Sequence, residues 1–438
     1  MPPRRQKEPL SRQLVHGQTG ARMRASPDTS LGQRVMARID ELARHTDEPG
    51  RLTRLYLSKA HRAAAEAVLS LMRAAGMTAT IDAVGNVVGR LTGERPDAPT
   101  LIVGSHIDSV VDAGRFDGPL GVVCGIVAVE ELTRRGISLP FALEVVAFGD
   151  EENVRFPTNL STSYALAGRY NPAWLDGVDA DGVMLRDALI AFGGDPAGIP
   201  ALARRRGEVL GYLEVHIEQG PQLEAADRPV GIVTAINGIT RARAFVAGEA
   251  GHAGTVPMAM RRDALAAAAE MISAIERIGA ARADTVATVG VAEVLPGAVN
   301  VIPARVDFTL DLRAPDDAVR RALVAEVGRE LQAIADRRGL SLAIEPFMDS
   351  PATPMDPKLM AVLEEAAATV SGPAPRLPSG AGHDAVAMAT LAPAAMLFVR
   401  CKGGISHNPA ESITESDAEV AVRVLIDAIE RLAAKVAD

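Results

Sequence analysis

Cysteine is almost missing from this sequence: Cys124 and Cys401 are the only two in 438 residues. Two thiols cannot build a disulfide framework or a cysteine-ligated zinc site. Aromatic residues are scarce too, at 3%, so the core must be packed from Ala, Val, Leu and Ile. No apolar run approaches the roughly 18 residues of a membrane span, and the amino terminus has no apolar segment of the secretory type. Basic charge is also short: 46 Lys and Arg against 55 Asp and Glu leave a net charge of −9. A phosphate backbone needs a basic face, so nucleic acid is excluded as the general partner, although a local arginine can still hold a small anion. These absences fit a cytoplasmic, reducing location.

What is present is globular: 48% hydrophobic and 23% charged. A chain of this length exceeds one ordinary core and predicts two domains. Residues 1–30 carry Arg4, Arg5, Lys7, Arg12, Arg22 and Arg24 without apolar periodicity and read as a mobile basic tail. Helical spacing follows at 31–43 and 58–75, and strand patterns at 78–81 and 86–90.

The stretch Thr100 to Gly118, TLIVGSHIDSVVDAGRFDG, organises the rest. Leu101-Ile102-Val103 reads as a buried strand of a parallel sheet. His106 and Asp108 stand at its carboxyl end, where open α/β sheets bind ligands, and Asp117 stands at the entrance of an apolar helix, 118–135. His106 and Asp117 can ligate a metal, with Asp108 accepting the second ring N–H of His106. Without a metal, the same residues would be a loop histidine with two solvated or capping aspartates. The next apolar strand, 141–149, delivers Asp150-Glu151-Glu152. A dinuclear hydrolase needs one carboxylate on metal and another to take a proton from water. A third strand, Tyr212–Ile217, carries His216 and is followed by Glu218, Gln219 and Gly220-Pro221. His407 lies in a Gly-rich loop after the strand 394–400. Asp117 would be shared by two shells of His plus carboxylate, and His and carboxylate donors suit zinc, manganese, nickel or cobalt.

From about Val233 the pattern changes. Strands at 241–246, 285–291, 306–312 and 340–344 alternate with helices at 263–278 and 316–338. This strand–helix–strand–strand–helix–strand order is that of a ferredoxin-like sandwich. It predicts an inserted α+β domain over 233–349 within an α/β catalytic domain made of 31–232 and 350–438.

Seven segments in order, GSHIDSVVDAGRFDG, FGDEENVRF, EVHIEQGPQLE, AGHAGTVPM, NVIPARVDFTLDLR, SGAGHDA and ISHNPAE, resemble the hydantoinase/carbamoylase branch of the dinuclear metallopeptidase superfamily. Its members include allantoate amidohydrolase, N-carbamoyl-L-amino acid hydrolase and β-ureidopropionase. The resemblance covers about residues 31–435 and implies a mixed-sheet dinuclear metallohydrolase domain cleaving a C–N bond of a ureido acid. It implies two divalent ions, zinc or manganese first, held by His106, Asp117, Glu152, His216 and His407, with Asp117 bridging. It implies Glu151 as general base and acid, with Glu152 the alternative, and Asp108 orienting His106. The inserted domain would dimerise and close over the site, so that His252 reaches the partner's site to stabilise the oxyanion. Asn300 and Arg313 would hold substrate, with Gln219 and the loop Gly380–His383 lining the same pocket. An aminopeptidase or amide-conjugate hydrolase on the same metals is the alternative activity, and a non-catalytic binding protein the third. One loop departs from the branch: Asn153 stands where a small residue is usual, and Tyr164 falls where a Gly-Ser-Arg-like segment is expected.

Overall fold

The computed structural model describes residues 29–437, so the basic tail lies outside them except for its last two residues. The strands in chain order are β1 Thr78–Ile81, β2 Val87–Leu91, β3 Thr100–His106, β4 Ala142–Phe148, β5 Val209–Ile217, β6 Val230–Ile236, β7 Gly238–Ala247, β8 Gly251–His252, β9 Val286–Thr288, β10 Ala292–Leu295, β11 Val301–Ile302, β12 Arg305–Ala314, β13 Ser341–Ser350, β14 Thr353–Pro354, β15 Arg376–Ser379 and β16 Ala394–Val399.

The large sheet has the order β1-β2-β4-β3-β5-β16-β6-β14, with β15 also on β6. Its centre, β4, β3, β5 and β16, is parallel. Its flanks are antiparallel at β1/β2, β2/β4, β16/β6 and β6/β14. Every residue of β3 and β4 is buried, as expected of parallel strands covered on both faces. The helix Pro119–Arg134 is buried without a break from Pro119 to Val129, because it is itself covered by the helices Leu31–Leu42 and Glu415–Ala437. Gly121 makes this close seat possible: a Cβ there would lie 2.2 Å from the Val215 carbonyl oxygen and 2.8 Å from Ser105 Cβ. No helix among the described residues is long and apolar enough to cross a membrane.

The second sheet has the order β10-β12-β7-β13, with β9 also on β12. The helices Ala264–Ala280 and Asp317–Arg337, N-capped by Asp263 and Asp316, pack on it around a separate core that includes Val246, Met271, Ile275, Phe308 and Leu331. The ferredoxin-like element order is present. The strand expected at 285–291 is instead two short strands, β9 and β10, on one edge of β12.

The boundary expected at 233 is corrected. It falls inside β6, which pairs with β16 and β14 of the large sheet, so the second sheet begins at Gly238. The apolar run Val230–Ile236 and the alternating run after it are both strands, and the change of pattern marks where the second one starts. The chain leaves and re-enters the large sheet side by side: Ile236 pairs with Thr353, and Ile239 with Ser350.

Two glycine substitutions test this packing with opposite signs. Gly121→Ala is expected to lower the unfolding free energy by about 1–3 kcal/mol, the scale of an overpacked core. Gly328→Ala, mid-helix with open space around the new Cβ, is expected to raise it by roughly 0.5–1 kcal/mol. Urea denaturation at constant metal content measures both.

Candidate metal centre

The parallel strands end at one edge of the large sheet and deliver the candidate residues there. β3 ends on His106, β4 is followed by Glu151 and Glu152, β5 carries His216 one residue before its end, and His407 lies in the loop after β16. Asp117 enters from the turn before the helix Pro119–Arg134. Its two oxygens face different groups. Asp117 Oδ1 lies 3.2 Å from His216 Nε2 and 3.6 Å from His106 Nε2. Asp117 Oδ2 lies 3.2 Å from His407 Nε2, and that nitrogen is 3.7 Å from Glu152 Oε2. In each of the groups His106–Asp117–His216 and Asp117–Glu152–His407 the possible ligand atoms lie within 4.8 Å of one another.

The histidine tautomers suit metal ligation. His216 Nδ1 faces the carbonyl of Ile217 at 2.9 Å, and His106 Nδ1 faces that of Asp108 at 3.1 Å. A carbonyl only accepts, so each Nδ1 carries the proton and each Nε2 presents a lone pair toward Asp117. His216 Nε2 and Glu152 Oε1 are buried without a hydrogen-bond partner among the described residues. Among the described residues no Lys or Arg pairs with Asp117, Glu151 or Glu152. Orphaned lone pairs among buried acids are what a divalent cation satisfies.

Electrostatics agree with the geometry. Burial opposes the charge on Asp117, yet the neighbouring imidazoles of His106, His216 and His407 prevail and hold its carboxyl well below the usual range. Burial, then Asp117, pushes Glu152 up to about 7. Burial also raises Glu151 well above the usual range, more than His106 lowers it, and Glu152 adds to the rise. The Glu151 carboxylate lies 4.0 Å from His106 Nε2.

Several supports were not legible in advance. The Asp108 carboxylate lies 3.4 Å from His106 Nδ1, farther than the Asp108 carbonyl, and it accepts the backbone N–H groups of Glu151 at 3.2 Å and Glu152 at 3.1 Å. It therefore ties the end of β3 to the end of β4. Gln219 Nε2 donates to Asp117 Oδ2 at 3.0 Å, so its amide is engaged by the shared carboxylate. Ser406 Oγ donates to the same oxygen at 2.8 Å. Glu411 Oε1 accepts the backbone N–H groups of Phe116 at 2.7 Å and Asp117 at 3.1 Å, while Oε2 lies 3.1 Å from Ser406 Oγ. Asn153 has φ 56°, a left-handed backbone that asparagine tolerates. Its side chain donates to the Glu151 carbonyl at 2.7 Å and accepts from Leu160 N–H at 3.3 Å, so it closes the loop after the glutamate pair. Gly118 has φ +84°, and a Cβ there would meet the His106 ring at 2.5 Å.

The expected substrate residues are spread more widely. His383 is buried, its ring centroid 4.4 Å from that of His216, and its Nε2 is 2.7 Å from Ser379 Oγ. Burial, then His216, pushes its pKa well down, so it packs as a neutral ring behind His216 instead of standing on an open pocket wall. Arg313, on β12, donates from Nη1 to the carbonyl of Gly380 at 2.6 Å, a contact between the two sheets' domains. His252 and Asn300 lie together on the second domain, where Ala253 N–H donates to the Asn300 carbonyl at 3.0 Å. Both are exposed, and among the described residues no hydrogen bond or ion pair links either side chain to the Asp117 cluster.

Glu411 gives the sharpest test of these supports. Glu411→Ala leaves two buried N–H groups without an acceptor and frees the shared carboxylate. Equilibrium dialysis of manganese is expected to show affinity reduced by about 10–100-fold, the usual weight of an outer partner. Glu411→Gln keeps the accepting oxygen and can donate to Ser406, and its affinity is expected to stay within a few-fold of wild type.

With this geometry in place, known proteins can be compared. The model of the family described as Peptidase family M20/M25/M40 matches residues 102–431. The N-carbamoyl-L-amino acid amidohydrolase of Geobacillus stearothermophilus is 41% identical over 403 residues, 92% of this chain and 98% of that protein. Allantoate deiminase 1 of Glycine max is 39% identical over 433 residues, 92% of this chain and 90% of that protein. The crystal structure of a hydantoinase/carbamoylase family amidase from Burkholderia ambifaria has 36% identity and a TM-score of 0.86, over 92% of this chain and 99% of that one. The chain belongs to peptidase family M20/M25/M40 and, within it, to the hydantoinase/carbamoylase amidases.

Proposed function

We infer that this protein is a metal-dependent amidohydrolase that cleaves the C–N bond of a ureido acid, such as allantoate or an N-carbamoyl-L-amino acid. The observation that carries the reading is the carboxylate of Asp117, one oxygen facing His106 and His216 and the other facing His407, which Glu152 also approaches. Those five side chains would hold two divalent ions, zinc or manganese before nickel or cobalt. When bound, the ions polarise the substrate carbonyl and lower the pKa of water toward about 7.

Glu151 is the general base. Its carboxylate reaches the edge of the cluster and has no hydrogen bond of its own among the described residues, while the Glu152 carboxylate faces His407. Burial raises its affinity for a proton, which suits a group that accepts one from water and returns it to the leaving nitrogen. Water adds to the carbamoyl carbon and the C–N bond breaks. The proton moves through Glu151 to the departing nitrogen, which leaves as the amine, and the carbamic acid left behind breaks its remaining C–N bond to give ammonia and carbon dioxide. Asp108 keeps His106 and the Glu151–Glu152 backbone in register.

Arg313 would clamp the substrate carboxylate with its fork of N–H groups, beside Gly380. Asn300 would also hold the substrate, and His252 would stabilise the oxyanion in the site of a second copy. Their surroundings support a homodimer: Met258, Met260 and Val299 are 77%, 74% and 105% exposed close by in the chain, apolar surface that a second subunit would cover. Both cysteines are free and buried, which suits a reducing, cytoplasmic location.

Ammonia release from metal-loaded protein tests the reading, with allantoate, N-carbamoyl-β-alanine and a panel of N-carbamoyl-L-amino acids, each with and without chelator. Chelator-sensitive release from one of them is expected. No release with metal bound would turn the assignment to an amide or peptide bond. Glu151→Gln is expected to lower kcat by at least about 10²-fold, the weight of a general base, with metal content unchanged. Near-normal turnover would transfer the role to Glu152.

A further inference from the structure

The open face of the second sheet carries an ion cluster beyond the clamp itself. Asp311 and Arg313 are two residues apart on β12, so their side chains leave the same face, and Arg241 on β7 is the residue paired with Asp311. Arg313 Nε donates to Asp311 Oδ1 at 2.7 Å and Nη2 donates to Oδ2 at 2.9 Å, a bidentate grip on one side of the fork. Arg241 Nε donates to the same Oδ2 at 2.8 Å. Arg313 Nη1 donates to the Gly380 carbonyl. A guanidinium has five N–H groups, so among the described residues Arg313 keeps one free on each Nη, and Arg241 keeps both of its Nη groups free. The side chains of Arg241 and Asp311 are 38% and 24% exposed, within reach of solutes. Two guanidinium groups and one carboxylate leave the cluster one positive charge.

Resting on the reading of Arg313 as the clamp, we propose that Asp311 is a positioning residue that also sets substrate charge: it fixes the plane of Arg313 and stands as a resident carboxylate, so the site accepts ureido acids with one carboxylate and disfavours those with two. The side of the Arg313 fork that Asp311 occupies is closed to substrate. A second carboxylate brought near Arg241 would meet Asp311 as a like charge, and discrimination built on an unfavourable contact is a general route to specificity. Without Asp311, Arg241 and Arg313 together offer two positive charges and an open side edge, a match for a dicarboxylic ureido acid.

The test measures kcat and KM for the best monocarboxylic substrate of the panel and for N-carbamoyl-L-aspartate. Where the aspartate derivative is not turned over, its inhibition constant replaces KM. The proteins are wild type, Asp311→Ala, Asp311→Asn and Arg313→Gln, each checked by thermal melting. Asp311→Ala is expected to raise KM for the monocarboxylate by at least about 10-fold, the scale of a lost charge-assisted hydrogen bond, with kcat changed less than about 3-fold. Its preference for one carboxylate over two is expected to fall by at least about 10-fold, because the repelling charge is gone. Asp311→Asn keeps the shape and one acceptor but not the charge, so its preference should fall while its KM rises less. Arg313→Gln should raise KM for both compounds. An unchanged preference in both Asp311 variants, with Arg313→Gln weakening both compounds, overturns the role of Asp311 alone. An Arg313→Gln enzyme with unchanged KM overturns the clamp and this proposal with it.

Discussion

Asp117 is a carboxylate out of water, and a charge out of water needs compensation on every side. It gets none from Lys or Arg among the described residues. Three imidazoles, the Gln219 amide and the Ser406 hydroxyl surround it, while Glu411 holds its backbone. These partners come from stretches near positions 106, 216, 219 and 406–411, and only the parallel order β3-β5-β16 brings them to one edge. Asp150 and Glu152, crowded nearby, are pushed up to about 7, mainly by burial. The local fold thus concentrates acids at one point and leaves their balance to a cation.

The two domains present different side chains. The large sheet holds the acids and histidines through buried strands that leave little room for movement. The second sheet presents cations on an open face, with Asp311 shared between two arginines. Among the described residues, Arg313 reaches the large domain through one hydrogen bond, to the carbonyl of Gly380, beside which there is open space. An arginine tied to the large domain by one carbonyl can exchange that partner for another acceptor at small cost, since one hydrogen bond replaces another.

Much of this was legible in the sequence, for identifiable reasons. His106, Glu151, Glu152 and His216 follow or end apolar runs, and a polar residue at the end of a buried strand has few other places to go. The element order of the second domain was readable because its strands alternate while those of the first do not. Ser406 and Glu411 carry no such signal: they lie in a loop, and their partner is some 290 residues away. β6 was hidden because Val230–Ile236 is apolar enough for a central strand and runs almost directly into β7. Asn153 looked like a departure from the pattern, yet it meets the backbone demand of a small residue and adds two hydrogen bonds that glycine cannot make.

The side-by-side crossing of the chain between the sheets has an evolutionary consequence. Ile236 and Thr353 are ladder neighbours, so the whole second domain departs and returns through one gap the width of a strand pair. A two-residue turn could close that gap and leave the large sheet's hydrogen bonding intact. The domain is thus a cassette spliced into a hairpin. Lineages could exchange, enlarge or reshape the second domain without re-forming the large sheet.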